Sequence, residues 1–140
     1  RMKGYAALKE GNKAPNITFT SIKSNLYNVV SAQTLVVFWA SWCPHCMETM
    51  PKVSAWAAKH PNTKVVAISL DEDKEAYEKA IQELPNIFHD TDLKKWEGAA
   101  VKDYYVYGTP TFVLLDKAKN IIGKYSSFSQ VEDAVGHDHE

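Results

Sequence analysis

Two residues in this chain have side chains and a spacing that suggest chemistry: Cys43 and Cys46, its only cysteines, in Trp42-Cys43-Pro44-His45-Cys46. Two thiols two residues apart can close a strained disulfide and reopen it by exchange with another thiol. A zinc site needs four ligands, and no second cysteine pair exists to complete one. The pair follows an apolar, β-branched run from Thr34 to Trp39 and precedes a stretch with helical period. It therefore belongs where a buried strand turns into a helix. The unpaired N–H groups and dipole at a helix start favour an anion, which makes Cys43 a thiolate and the attacking sulfur. Cys46, one turn further in, is expected to be buried, less acidic and placed to resolve the mixed disulfide.

The elements that must hold this pair follow from periodicity. Residues 1–13 are polar and read as an exposed, flexible lead-in, with order beginning around Gly11 to Pro15. Ile17 and Phe19, then Leu26, Tyr27 and Val29, read as two short strands of an N-terminal β-hairpin at the sheet edge. Leu35–Trp39 is a continuous apolar run, as expected of a parallel strand covered on both faces. The next helix carries Cys46, Met50, Val53 and Ala57 on one face, with Pro51 predicting a kink. Lys64–Leu70 is a second buried strand. Asp71-Glu72-Asp73 then caps a helix with Tyr77, Ala80, Ile81 and Leu84 inward, and residues 86–89 form a short strand. A further helix from Asp90 is expected to place Leu93, Trp96, Ala100 and Tyr104 on one face. Thr111–Leu115 and Ile121–Tyr125 read as an antiparallel pair. Ser129-Gln130-Val131-Glu132 reads as a capping box opening a helix that Gly136 stops, with residues 136–140 flexible. There are no repeats or linkers, so residues 1–140 read as one α/β domain.

Beyond spacing, Phe38-Trp-Ala-Ser-Trp-Cys-Pro-His-Cys46 resembles the active site of the thioredoxin superfamily. Pro51 and Gly108-Thr-Pro-Thr-Phe-Val-Leu-Leu-Asp116 match two further landmarks in order, and the likeness runs from about Gly11 to about Tyr125. The helix and strand between the cysteine helix and Pro110 resemble the longer arrangement of the TlpA/ResA-like and peroxiredoxin-like branches, and the whole pattern is most similar to the extracytoplasmic TlpA/ResA-like one. The resemblance implies a thioredoxin fold: a central mixed sheet flanked by helices, with an extra helix–strand insertion before a cis Pro110. It also implies that Trp42, Thr109 and Pro110 face the substrate, the Thr109 backbone pairing with an extended peptide. Catalysis would need no cofactor beyond the Cys43–Cys46 disulfide and no metal. The partners would be cysteine-containing protein substrates and an upstream redox protein.

Within that reading, Pro44 and His45 are candidates for setting the redox poise. A cationic imidazole near the helix start would lower the Cys43 pKa and make the disulfide a stronger oxidant. Pro-His resembles the dipeptide of DsbA-type oxidases, but this chain has no room for their helical insertion. A reductase is therefore the preferred reading and an oxidase or isomerase the alternative. Glu48, three residues after His45, is a candidate to hold it protonated. Two proton acceptors of the relatives are replaced here, by Val37 and Thr49. Trp39 reads as core or site wall, while Tyr104, Tyr105 and Tyr107 read as packing. A peroxidase is disfavoured because the relatives' peroxidatic cysteine is not part of such a pair. The rival from another class is a metal carrier using Cys43, Cys46 and His45.

Bulk properties agree with this picture. With 140 residues and a net charge of −1, the chain can bury one core and presents no field for nucleic acid. No apolar run reaches the roughly 20 residues of a membrane span. The first residue is Arg1 rather than methionine, leaving room for a removed signal or anchor ahead of a monomeric periplasmic domain.

Overall fold

The computed structural model describes residues 8–138. Its centre is β1 (Gln33–Trp39), where Thr34 through Trp39 are wholly buried. Such burial on both faces requires neighbours on each edge and layers above and below. β2 (Thr63–Ser69) pairs parallel to β1, and β4 (Thr111–Leu115) pairs antiparallel to it. β3 (Phe88–Thr91) and β5 (Ile121–Tyr125) complete a five-stranded sheet in the order β3-β2-β1-β4-β5.

Parallel steps need crossovers, here α1 (Pro44–Lys59) between β1 and β2 and α2 (Lys74–Ile81) between β2 and β3. Alternation along β1 sends Trp39 to one face and Phe38 to the other. Trp39 meets Tyr77 of α2 with ring centroids 6.4 Å apart. On that same face Phe128, which opens α4 (Phe128–Asp138), packs 5.6 Å from Trp56 of α1 and 5.8 Å from Phe112. Phe38 meets Tyr104, 5.3 Å away, just past the short α3 (Ala99–Asp103). The register places the site: Trp39 lies opposite Ser69 and Phe38 opposite Thr111. The chain therefore leaves β1 beside the point where Pro110 enters β4.

Several local expectations change. The N-terminal strands reduce to one antiparallel bridge, Thr18 with Asn25, followed by a 3-10 turn over Leu26–Asn28. The Thr20 and Ser21 N–H groups donate to the Asp90 carboxylate and the Tyr27 N–H to Asn16 Oδ1, so side chains take bonds a strand ladder would use. The lead-in packs from Leu8 onward: Leu8 is buried, and the Gly11 N–H donates to Ile121 O at 2.8 Å. α1 continues through Pro51 for its full 16 residues. β3 starts two residues late because Asn86 is left-handed, with φ 70°.

The helix expected from Asp90 is broken. Leu93 and Lys95 take φ 60° and 55°, leaving a 3-10 turn over Lys95–Glu97 before α3. A side chain at Gly98 would collide with the Asp92 carboxylate, whose Oδ2 lies 2.8 Å from the place of a Cβ. The capping arrangement of α4 sits two residues early: Gln130 Oε1 accepts from the N–H groups of Ser126 and Ser127. The helix passes through Gly136. The expectation of flexible ends at residues 1–7 and 139–140 lies outside the described residues.

Because Phe38 is fully buried against Tyr104, Phe38→Ala should lower stability by about 3–5 kcal/mol in urea unfolding, and a loss under 1 kcal/mol would contradict this packing.

Candidate active site

After Trp39 the chain makes a tight turn in which the Cys43 N–H donates to Ala40 O at 3.2 Å. That turn delivers Cys43 to the N-cap of α1 with extended backbone, φ −99° and ψ 110°. Pro44 takes the first helical position, where its missing N–H is no loss and its fixed φ suits the helix. Cys43 Sγ accepts from the Cys46 N–H at 3.2 Å and lies 3.6 Å from Thr109 O, to which the thiol can donate. Both cysteines are thiols in this structure; Cys43 is 8% exposed and Cys46 is fully buried.

The two sulfurs titrate in opposite directions. Burial pushes Cys43 up, but hydrogen bonds from the Cys46 thiol, from the Thr109 side chain and from the N–H groups of Cys46 and His45 outweigh it. The Cys43 thiol thus ends below the ordinary thiol value. At Cys46 the balance is reversed: burial, and then the neighbouring Cys43, push it up to about 12 against smaller lowering hydrogen bonds from the Ala40 backbone and the Thr109 side chain.

Facing the thiols is the loop before β4, where the Thr109–Pro110 peptide bond is cis. Pro110 is buried and Thr109 half-buried. A groove of about 340 Å³ runs past Thr109 and Pro110, between His45 and Tyr107. Cys43, Cys46, Thr109 and Pro110 therefore meet at one place. Trp42 is 47% exposed beside them, its ring 6.3 Å from Trp96 and under the Lys95 ammonium at 5.6 Å. Lys95 is held in turn by Glu72 at 3.4 Å.

Other expected roles change. His45 is exposed, and it is its backbone N–H that favours the Cys43 thiolate. Among the described residues no ion pair joins it to Glu48; both are exposed at the start of α1 and remain apart. Trp39 is core. Tyr107 is 77% exposed at the groove, while Tyr104 is buried as packing.

Sequence reasoning missed Asp71, treated there as part of a helix cap. The cap of α2 is Asp73, whose carboxylate accepts from the Glu75 N–H at 3.0 Å. Asp71 is 1% exposed and bonded to Ser41 at the turn before Cys43. The signal was its place: a carboxylate directly after a buried strand, at the sheet edge where the cysteines must lie.

A parallel β1–α1–β2 unit joined to an antiparallel pair, with two thiols at a helix start facing a cis-proline, defines a thioredoxin-fold protein. The family model described as Thioredoxin-like matches residues 32–121, and the chain belongs to that family. It is similar to a thioredoxin-like protein of Haemophilus influenzae, 29% identical over 107 residues that cover 74% of this chain and 62% of the relative. It is also similar to the thiol-disulfide oxidoreductase ResA of Bacillus thuringiensis, 29% identical over 130 residues, covering 87% of this chain and 62% of the relative. The chain thus spans less than two thirds of the length of these two relatives. Among solved structures, a domain of a possible thiol-disulfide isomerase from Cytophaga hutchinsonii superposes with a TM-score of 0.82 at 29% identity, covering 94% of each chain.

Limited iodoacetamide should alkylate Cys43 alone, at a rate that rises with pH and levels off below the ordinary thiol value, because only its thiolate is stabilised. Mass-spectrometric mapping checks this, and equal labelling of Cys46 at neutral pH would contradict it.

Proposed function

We propose that this chain is a thiol-disulfide oxidoreductase acting on cysteines of protein partners, and that it works as a reductase in an extracytoplasmic compartment. The observation that carries this reading is Cys43 Sγ at the α1 start, bonded to the Cys46 N–H and beside Thr109 O. The Cys43 thiolate attacks a partner disulfide, a Cys43–partner bond forms, and one partner thiolate leaves. Cys43 then carries no charge, and one of the causes holding the Cys46 thiol up disappears. Cys46 sulfur attacks Cys43 Sγ, its proton goes to the departing partner sulfur, and the Cys43–Cys46 disulfide remains. Two electrons and the Cys46 proton have passed to the partner, whose first-released thiolate takes its proton from water. An upstream thiol protein restores the dithiol, and the two sulfurs carry the electrons without a further cofactor.

During the exchange, Thr109, Pro110 and Trp42 form the substrate wall, and the exposed edge of Thr109 suits an extended peptide. The compartment and a role in keeping selected cysteines reduced, as in cytochrome c maturation, rest on the TlpA/ResA-like sequence pattern and the relatives named ResA. Among the described residues no helix is long and apolar enough to cross a membrane. The oxidase reading would need a His45 imidazole that favours the Cys43 thiolate, whereas the backbone N–H of His45 already does so.

With dithiothreitol as electron source, the protein should accelerate insulin reduction, Cys43→Ser should abolish the activity, and Cys46→Ser should accumulate a mixed disulfide through Cys43. Full activity in Cys43→Ser would remove the proposal. Stoichiometric metal retention without exchange would assign a metal carrier instead.

A further inference from the structure

Outside the cysteine pair, the buried group most directly tied to the site is the Asp71 carboxylate, 1% exposed at the end of β2. Its oxygens accept from the Ser41 N–H at 3.1 and 3.2 Å, from Ser41 Oγ and from Ser69 Oγ. The Asp71 N–H donates back to Ser69 Oγ at 2.8 Å, so the carboxylate is itself fixed. Ser69 lies opposite Trp39, and the Leu70 N–H donates to Trp39 O at 2.7 Å, so both strand ends are locked at the same level. Ser41 is the second residue of the turn closed by the Cys43 N–H on Ala40 O.

We propose that Asp71 is a positioning residue for the attacking thiol: through Ser41 it holds the Ala40–Cys43 turn that aims Cys43 Sγ at the α1 N–H groups and at Thr109 O. The inference rests on the oxidoreductase reading for its meaning in catalysis, but the geometry it claims can be read without any protein substrate. Without the clamp, both Ser41 donors in the turn, its N–H and its hydroxyl, lose their acceptor just past β2, and Cys43 can rotate away from the helix start. A buried carboxylate with well-formed bonds is also a common structural device, and the fold supplies its own comparison. Asp90, 4% exposed, accepts from Thr20 N and Oγ1 and from Ser21 N, so among the described residues its carboxylate hydrogen bonds go to the N-terminal segment. A merely structural role would make the two carboxylates equivalent at Cys43.

The test uses the reduced full chain and measures the Cys43 iodoacetamide rate at neutral pH together with thiolate ultraviolet absorbance, with folding followed by circular dichroism. Asp71→Ala should slow alkylation by about tenfold, the scale of one charge-assisted hydrogen bond lost. Asp71→Asn still offers an oxygen to the Ser41 N–H and should recover most of the rate, while Asp90→Ala should keep the wild-type rate. Ser41→Ala removes only the hydroxyl bond and should slow Cys43 by about threefold, so it reads the clamp if Asp71→Ala does not fold. A wild-type rate in folded Asp71→Ala, or in Ser41→Ala where Asp71→Ala does not fold, overturns the proposal, as does equal slowing in Asp90→Ala. Wild-type protein that alkylates as described but reduces no disulfide would instead count against the oxidoreductase reading.

Discussion

The interaction on which the site depends is the contact between Cys43 Sγ and the open N-terminus of α1. Burial at this position opposes charge, and an isolated thiol there would become less acidic. Hydrogen bonds from the Cys46 thiol and the Thr109 side chain, then from the N–H groups of Cys46 and His45, more than offset that cost at Cys43, whereas the deeper burial of Cys46 pushes its thiol up. A helix start is among the few places where a backbone offers several free donors to one sulfur without any charged side chain. The difference between the two cysteines is thus a property of position, and the residues between them act mainly through backbone. Pro44 suits the first turn, and His45 supplies an N–H.

Position in turn depends on the ends of strands. β1 ends opposite Ser69 on one side and near Thr111 on the other, which brings the cysteine turn and the cis-proline loop to one edge of the sheet. Two buried carboxylates work at that edge. Asp71 ties down the turn before Cys43, and Asp90 anchors the N-terminal segment across the end of β3. The inserted unit between α1 and Pro110 adds Trp96, whose ring leans on Trp42, while the Glu72–Lys95 pair brings a cation over the same indole. The insertion therefore builds one wall of the approach to the thiols.

Much of this was readable from residue order. β1 and β2 announce themselves as continuous apolar runs, the β4–β5 pair as two runs split by a polar turn, and α1 as a three-four repeat beginning at the cysteines. Those signals are strong because burial on both faces, or on one helical face, leaves no other pattern. What could not be read came from contacts distant in the chain. The N-terminal segment has a strand-like alternation, yet Asp90, seventy residues away, takes the N–H of Thr20. The region after Asp92 has helical spacing, yet left-handed Leu93 and Lys95 break it. Asp71 looked like a helix cap because its partner, Ser41, lies across the β1–β2 crossover. Cys43, Cys46, Thr109 and Pro110 could be placed together because the motif and the strand order agree, whereas the His45–Glu48 pair rested on spacing alone and did not form.

The central claim is that hydrogen bonds gathered at the helix start, from the Cys46 thiol, the Thr109 side chain and the backbone N–H groups, and not a cationic side chain, set the chemistry of Cys43. Equilibrating the Cys43–Cys46 pair with glutathione and measuring its reduction potential tests this most directly. A value near the reducing end of the scale, about −270 mV as for thioredoxin, is the predicted result. A value near −120 mV, as for DsbA, would contradict it, because it would mean that Pro44-His45 stabilises the dithiol far beyond what the helix start supplies and that the protein donates disulfides.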